Sequence, residues 1–216
     1  MAAAEQTKGA IFDIGANFGL YSLLIATGLR RHVLAFEPFP EPANVLRGIA
    51  LHEDLPIEVN EVGISDSVGA STLYISDRSD MSNSLNSKFR NHKEKLGILT
   101  TTIDAVSKRV APGQIKIDIE TMELFALRGA RETLKRDSPN LMMEALDDTI
   151  LQQIEEILLP LDYKIIQLGG AEFCRQFDIN GFDATGDERN ILAVKDLNDS
   201  LFLKRTREWM LYLRKL

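Results

Sequence analysis

Apolar and polar positions follow two patterns along this chain, and each pattern predicts a different element. Short apolar runs bounded by turn residues are typical of buried strands, whereas apolar residues three or four positions apart indicate helices. The predicted strands cover residues 9–14, 31–36, 57–64, 71–75, 114–119, 141–144, 163–168 and 191–194. The predicted helices cover residues 18–29, 41–51, 102–110, 123–135, 149–158 and 200–216.

The regular alternation of strands and helices predicts the fold class. Alternating elements of this kind form a parallel sheet with helices on both faces. We therefore expect an α/β, Rossmann-like fold closed by the last two strands. Residues 76–96, rich in Ser and Asn, are predicted to form a loop with room for one short helix and are a candidate lid. The glycine-rich residues 169–190 are candidate substrate loops.

Composition limits the number of domains and the compartment. The 216 residues are 44% hydrophobic and show no internal domain boundary rich in Pro, Gly or Ser, so we expect a single domain over residues 1–216. One cysteine excludes an intrachain disulfide and fits a reducing, cytoplasmic location. We expect no membrane span, because no stretch approaches ~20 apolar residues. The net charge of −7 argues against a nucleic-acid partner.

Residues 9–23 carry the first candidate site. Here an apolar strand ends in Asp13-x-Gly15-x-Asn17-x-Gly19 and a helix begins. Glycines permit a sharp turn and the close approach of a ligand. The Asp13 carboxylate is suited either to bind an amino group of the ligand or to order the turn. A dinucleotide site would favour G-x-G-x-x-G, which is absent, so we interpret the run as a site for S-adenosylmethionine.

The second candidate site follows one strand later. The strand that ends at Phe36 is followed by Glu37 and Pro38, and an acid about 20 residues after a glycine turn can accept hydrogen bonds from both ribose hydroxyls. The alternative is an ordinary turn with a solvated glutamate. At the tip of the third strand, Gly63, Ile64 and Ser65 are candidates for adenine binding through an apolar side chain and edge hydrogen bonds.

The order of these motifs resembles the FkbM-type methyltransferase family. The resemblance extends over residues 9–195 and includes seven runs: 13–19, 36–38, 63–66, 101–104, 115–120, 127–130 and 139–144. It implies a class I methyltransferase fold with a mostly parallel seven-stranded sheet. It also implies transfer of a methyl group from S-adenosylmethionine to a hydroxyl of a sugar, glycan or natural product. A fused or cooperating glycosyltransferase is an expected partner.

Two features depart from the family pattern. Family members usually have glycine after the Asp-Val-Glu run, whereas this chain has Thr121 and Met122. The backbone there either avoids positive φ or adopts it at a cost.

The first strand begins at about Gly9, which leaves no room for the usual preceding helix, so we expect a domain cut from a longer chain. The alternatives are an RNA or protein methyltransferase, or a non-catalytic cofactor-binding domain that serves as a partner surface, in which Thr121 and Met122 mark decay.

Methyl transfer to oxygen requires a group that accepts the hydroxyl proton. Asp118, at the tip of the fourth strand, is the first candidate, followed by Glu120 and by Glu144 at the fifth tip. Asp118 and Glu144 are also candidate ligands for a divalent cation such as magnesium. Lys116 is expected to pair with an acid. Glu123 is interpreted as an acid that favours a helix N-terminus.

The polar loop supplies the remaining candidates. His92 is an alternative base because its proton affinity suits neutral pH, although lone histidines in loops are usually solvated. Ser82, Asn83 and Ser84 are candidates for hydrogen bonds to the hydroxyls of the acceptor, and a flexible linker is the alternative.

Overall fold

The structure is a computed structural model that describes residues 1–77, 83–89, 91–145, 148–168, 174–176, 189–196, 201–202, 204–206 and 208. Within these ranges the helices are α1 Ala2–Glu5, α2 Leu20–Leu29, α3 Pro40–His52, α4 Ile103–Ser107, α5 Glu123–Arg128, α6 Arg131–Arg136 and α7 Asp148–Leu158. The strands are β1 Ala10–Ile14, β2 Val33–Phe36, β3 Ile57–Asn60, β4 Gly63–Ile64, β5 Gly69–Ser76, β6 His92–Thr101, β7 Pro112–Ile117, β8 Asn140–Glu144, β9 Lys164–Leu168, β10 Cys174–Gln176 and β11 Asn190–Val194.

The main sheet has the order β10-β9-β11-β8-β7-β1-β2-β3. The pairs from β3 across to β8 are parallel, whereas β11 runs antiparallel to both of its neighbours. Seven strands therefore form the mostly parallel sheet predicted for a Rossmann-like class I fold, and the short strand β10 extends one edge. The fold-class prediction is confirmed.

Both faces of the central strands are buried, which explains why these strands are nearly continuous apolar runs. On one face Phe12 meets Phe36 edge-on, with ring centroids 5.7 Å apart, within the largest core cluster. On the other face Ile11 packs with Ile25 of α2 and Val33. This double-sided core fixes β1 and β2 in register, so that the chain segments leaving both strands meet at one edge.

A second, three-stranded sheet of order β4-β6-β5 corrects two predictions. The strand predicted over residues 57–64 divides, because residues 57–60 pair with β2 whereas residues 63–64 pair with β6. The loop predicted for residues 76–96 is wrong from residue 92 onward, where β6 runs antiparallel to β5. The first four residues of β6 are exposed and polar, so no apolar alternation marked this end of the strand.

The helix predicted over residues 123–135 is interrupted between α5 and α6. Asp104 is responsible, since its carboxylate accepts hydrogen bonds from the N–H groups of Glu132 (3.2 Å) and Thr133 (2.7 Å). These contacts cap a new helix N-terminus. At the start of the chain, α1 forms one helical turn before β1, where the sequence predicted no helix.

Two predicted segments fall mostly outside the described residues. Of the glycine-rich segment 169–190, residues 174–176 form β10 and residues 189–190 are also described. The helix predicted over residues 200–216 is described in small part, so neither interpretation is tested. Within the described residues, no helix has the length and apolar character needed to cross a bilayer.

Candidate functional site

A pocket lies where β1, β2 and β7 end, the edge at which open α/β sheets place their ligands. Its empty volume, open mouth included, is about 730 Å³. Ten residues predicted for the site or adjoining it line this pocket: Gly15, Asn17, Glu37, Pro38, Gly63, Ile64, Asn83, Ser84, Asp118 and Glu120. The remaining lining is mostly apolar: Ile14, Phe36, Leu73, Leu85, Ile119 and Met122.

Glu37 is held rigidly in the pocket wall. One carboxylate oxygen accepts a hydrogen bond from the Asn17 N–H at 2.9 Å, and the other accepts one from the Phe39 N–H at 2.9 Å. The side chain is 7% exposed, and this burial raises the pKa of the carboxyl. A carboxylate oxygen has two lone pairs, so each oxygen retains capacity to accept one more hydrogen bond from a ligand.

The glycine positions are required mainly by contacts within the protein. Gly15 has φ +76°, and a Cβ there would lie 1.9 Å from the carbonyl oxygen of Asp118. Gly19 has φ +86° at the start of α2, and a Cβ would meet the Leu46 side chain at 2.2 Å. Gly15 lines the pocket, whereas Gly19 is not among the lining residues. The turn therefore brings the end of β1 directly against the end of β7.

Asp13 faces the interior of the protein. Its side chain is fully buried, and Oδ2 accepts hydrogen bonds from the Ser22 N–H at 3.1 Å and the Ser22 hydroxyl at 2.6 Å. Oδ1 lies 3.5 Å from Nζ of Lys116. Asp13 is not among the residues that line the pocket. This placement fits the second of its two expected roles, which is to order the turn.

Lys116 joins Asp13 to the pocket. Its ammonium lies 3.2 Å from Oδ2 of Asp118, so the expected pairing with an acid is confirmed, and it pairs with two. Burial alone lowers the pKa of Lys116, but Asp13 and Asp118 more than offset this effect and raise it overall. The carboxylate of Asp118 is half-exposed and lines the pocket. Lys116 therefore holds the Asp118 carboxylate in place at the wall of the pocket.

The turn after Asp118 is strained and supported by the polar loop. Glu120 has φ +49° and Thr121 has φ +75°, so the chain adopts positive φ without the glycine. The Ser84 hydroxyl donates to the Glu120 carbonyl oxygen at 2.7 Å. The Asn86 side-chain amide donates to the Thr121 hydroxyl at 3.2 Å. Loop and turn thus form facing walls of one pocket.

The remaining predicted residues lie apart from the pocket lining. His92 is exposed at the start of β6 and packs edge-on against the Tyr74 ring, with centroids 4.9 Å apart. Ser65 hydrogen bonds to Asp66 instead of lining the pocket. Ser82 lies outside the described residues. Glu144 lies near Asp118, and its pKa is raised first by burial and then by the Asp118 charge.

Sequence reasoning missed the environment of Glu123. The side chain is buried at the start of α5, and Oε1 accepts a hydrogen bond from the Ile119 N–H at 3.2 Å. Burial raises its pKa to about 7, and the charges of Asp118 and Glu144 add to the effect. Its position at a helix start was visible in the sequence, but its burial depends on tertiary packing.

The acids here do not fit a divalent cation. The described residues contain no group of three His, Cys, Asp or Glu side chains arranged to hold a metal ion. The Asp118 carboxylate is already paired with the ammonium of Lys116. Magnesium is usually held by carboxylates and several waters in octahedral geometry. The positive charge of Lys116 would repel a cation placed at the Asp118 carboxylate.

Two of three comparisons with known proteins give a match. A family model described as the methyltransferase FkbM domain matches residues 13–165. Methyltransferase FkbM from Methylobacillus flagellatus KT is similar in structure, with a TM-score of 0.58 and 22% identity. The match covers 87% of this chain and 43% of that protein, so the chain spans less than half of its length. A comparison with curated protein sequences finds no match.

A second solved structure supports the fold at lower identity. SMU.1697c from Streptococcus mutans, solved in complex with SAH, has a TM-score of 0.52 and 9% identity. This match covers 90% of this chain and 94% of that protein. Both structural matches are below 25% identity and show a shared fold.

Proposed function

Because this chain belongs to the FkbM methyltransferase family, we propose that it transfers a methyl group from S-adenosylmethionine to a hydroxyl oxygen of a sugar, glycan or natural product. The family model spans most of the chain, from the glycine turn to β9.

The observation that carries this proposal is Glu37 at the end of β2. Its carboxylate is aligned by two backbone N–H groups in a pocket that also contains the glycine turn. Such an acid is suited to accept hydrogen bonds from a ribose. Phe36 and Ile64 supply apolar surface for the adenine ring beside it. The residues present therefore fit an adenosyl ligand.

The transfer requires alignment and removal of one proton. When bound, S-adenosylmethionine supplies an electrophilic methyl group, and its sulfur keeps the C–S electron pair when that bond breaks. Asp118 accepts the proton of the acceptor hydroxyl as the acceptor oxygen forms its bond to the methyl carbon. Lys116 holds the Asp118 carboxylate at 3.2 Å, which limits its rotation. The apolar lining limits access of water to the reacting atoms.

The charges of the lining favour a neutral acceptor. Glu37, Asp118 and Glu120 all line the pocket, and no Lys or Arg is among its described lining residues. An anionic acceptor, such as a sugar phosphate, would meet the Glu37 carboxylate and would find no Lys or Arg among the described lining residues to bind it. Neutral hydroxyl compounds are therefore the first acceptors to test.

Calorimetric titration tests the cofactor assignment directly. We expect S-adenosylmethionine and S-adenosylhomocysteine both to bind the wild-type chain. Glu37→Gln should raise the dissociation constant about tenfold or more, since hydrogen bonds to a charged group contribute ~1.5–3 kcal/mol. Glu41→Gln is the matched control, because Glu41 is exposed at the start of α3. Absence of wild-type binding at millimolar ligand would refute the proposed function.

A further inference from the structure

The strained turn beside the pocket contains a side chain that the family's glycine would lack. Thr121 is β-branched and has φ +75°, a conformation that such residues rarely adopt. Its hydroxyl accepts a hydrogen bond at 3.2 Å from the side-chain amide of Asn86, 35 residues earlier in the chain. A glycine at this position would relieve the strain but could not accept this bond.

The loop that Thr121 contacts is itself built from specific hydrogen bonds. Asn83 accepts a bond from the Ser76 N–H at 3.0 Å, and Ser84 exchanges backbone bonds with Tyr74. The Ser84 hydroxyl also accepts a bond from the Asn86 N–H at 3.0 Å. The loop is therefore fixed to β5 on one side and to the strained turn on the other.

Both partners of this contact adjoin residues that line the pocket. Asn83, Ser84 and Leu85 line the pocket from the loop side, and Glu120 and Met122 line it from either side of Thr121. A change in the distance between loop and turn would change the width of the pocket. The contact between Asn86 and Thr121 therefore influences the width of the pocket in which a ligand would bind.

We propose that Thr121 is a positioning residue, whose hydroxyl holds Asn86 and thereby sets the loop wall of the ligand pocket. The inference rests on the proposed function, since the ligand is taken to be the adenosyl compound. If this inference holds, the threonine that replaces the family's glycine has a role in ligand binding and is not a sign of decay. The hydrogen bond offsets part of the backbone strain, because one neutral hydrogen bond contributes less free energy than a strongly strained residue costs.

The test uses opposite effects on stability and binding. Thr121→Gly should keep or raise the melting temperature, because glycine adopts positive φ freely. The same variant should weaken binding of S-adenosylhomocysteine about fivefold, equivalent to ~1 kcal/mol. Thr121→Ser retains the hydroxyl and should bind as the wild type does. If Thr121 served only the stability of the fold, Thr121→Gly would lower both the melting temperature and the affinity for S-adenosylhomocysteine. That result would overturn the inference.

Asn86 provides the second arm of a double-mutant cycle. Asn86→Ala should weaken binding as much as Thr121→Gly does, and the double variant should be no weaker than either single one. Asn44→Ala, on the exposed face of α3, is the matched control. Additive losses, or wild-type affinity in both single variants, would overturn the inference while leaving the proposed function intact.

Amide hydrogen exchange without ligand makes the inference independent of binding. Thr121→Gly and Asn86→Ala should each increase exchange at the backbone amides of positions 84 and 86, and Thr121→Ser should not. Unchanged exchange in the first two variants would refute the positioning role. If the wild type binds no adenosyl compound, the proposed function fails, and the exchange result still decides whether Thr121 fixes the loop.

Discussion

Glu123→Gln is expected to stabilise the protein at neutral and alkaline pH. The carboxyl is 3% exposed, and burial raises its pKa from 4.5 in the unfolded chain to about 7. This difference corresponds to ~3 kcal/mol between the two protonation states. Glutamine keeps a carbonyl oxygen that can accept the Ile119 N–H bond. Loss of a negative charge at the start of α5 removes ~0.3–1 kcal/mol, which leaves a net gain of ~2 kcal/mol.

The pH dependence of this effect follows from the direction of the shift. Because the folded-state pKa lies above the unfolded value, the native state binds more protons between pH 4.5 and about 7. The free energy of unfolding therefore falls as pH rises through this window. Below pH 4.5 Glu123 is protonated in both states and the variant has no advantage. Above about pH 7 the full destabilisation of the wild type is present.

Urea denaturation at a series of pH values measures this difference. The stability of Glu123→Gln minus that of the wild type should rise from near or slightly below zero at pH 4.5 to ~2 kcal/mol at pH 8. Glu132→Gln is the control, because Glu132 is an acid in the first turn of α6 with an exposed side chain. A difference that stays constant across the pH series would refute the reasoning.

Three further variants test the site. Gly15→Ala should lower the free energy of unfolding, measured by urea denaturation, by ~3 kcal/mol, because the new Cβ would lie 1.9 Å from a backbone oxygen and the residue has φ +76°. Its control is Gly48→Ala within α3, where a Cβ meets nothing within 4 Å. This variant should instead raise the free energy of unfolding by ~0.5–1 kcal/mol. Lys116→Met should destabilise by ~3 kcal/mol by leaving buried Asp13 without its cation, and exposed Lys135→Met should have little effect. Asp118→Asn should abolish methyl transfer to any acceptor that the wild type uses, while its affinity for S-adenosylmethionine changes less than severalfold. If the variant turned over as fast as the wild type, with and without chelator, Asp118 would not belong to the active site.

The parts of the fold that the sequence predicted are those controlled by local signals. The ends of β1 and β2 were predictable because the glycine turn begins at Gly15 and because Glu37 and Pro38 follow the apolar run that ends at Phe36. The alternation of Lys116 and Asp118 along one strand also predicted an ion pair. By contrast, β6 begins with four exposed polar residues, so its pairing with β5 had no hydrophobic signature.

The site was less predictable where it depends on contacts distant in sequence. Leu73 and Leu85 enter the pocket from the second sheet and its loop, and no local pattern marks them as lining residues. The Asp13 carboxylate turns toward Ser22 because a buried acid is stabilised by close hydrogen-bond donors, which here come from the helix that follows the turn. A motif gives the position of such an acid along the chain but not the direction of its side chain.

The distribution of unfavourable features favours a catalytic domain over a decayed one. The buried acid Glu123, the buried pair of Lys116 with Asp13, and the positive φ at Thr121 each oppose folding or require compensation. All of them lie on or beside the segment from the end of β7 to the start of α5, which also contains Asp118. A domain that served solely as a partner surface would gain stability by replacing Glu123, Thr121 or both members of the Lys116–Asp13 pair together. Their concentration beside the pocket is expected if ligand binding and proton transfer depend on this segment.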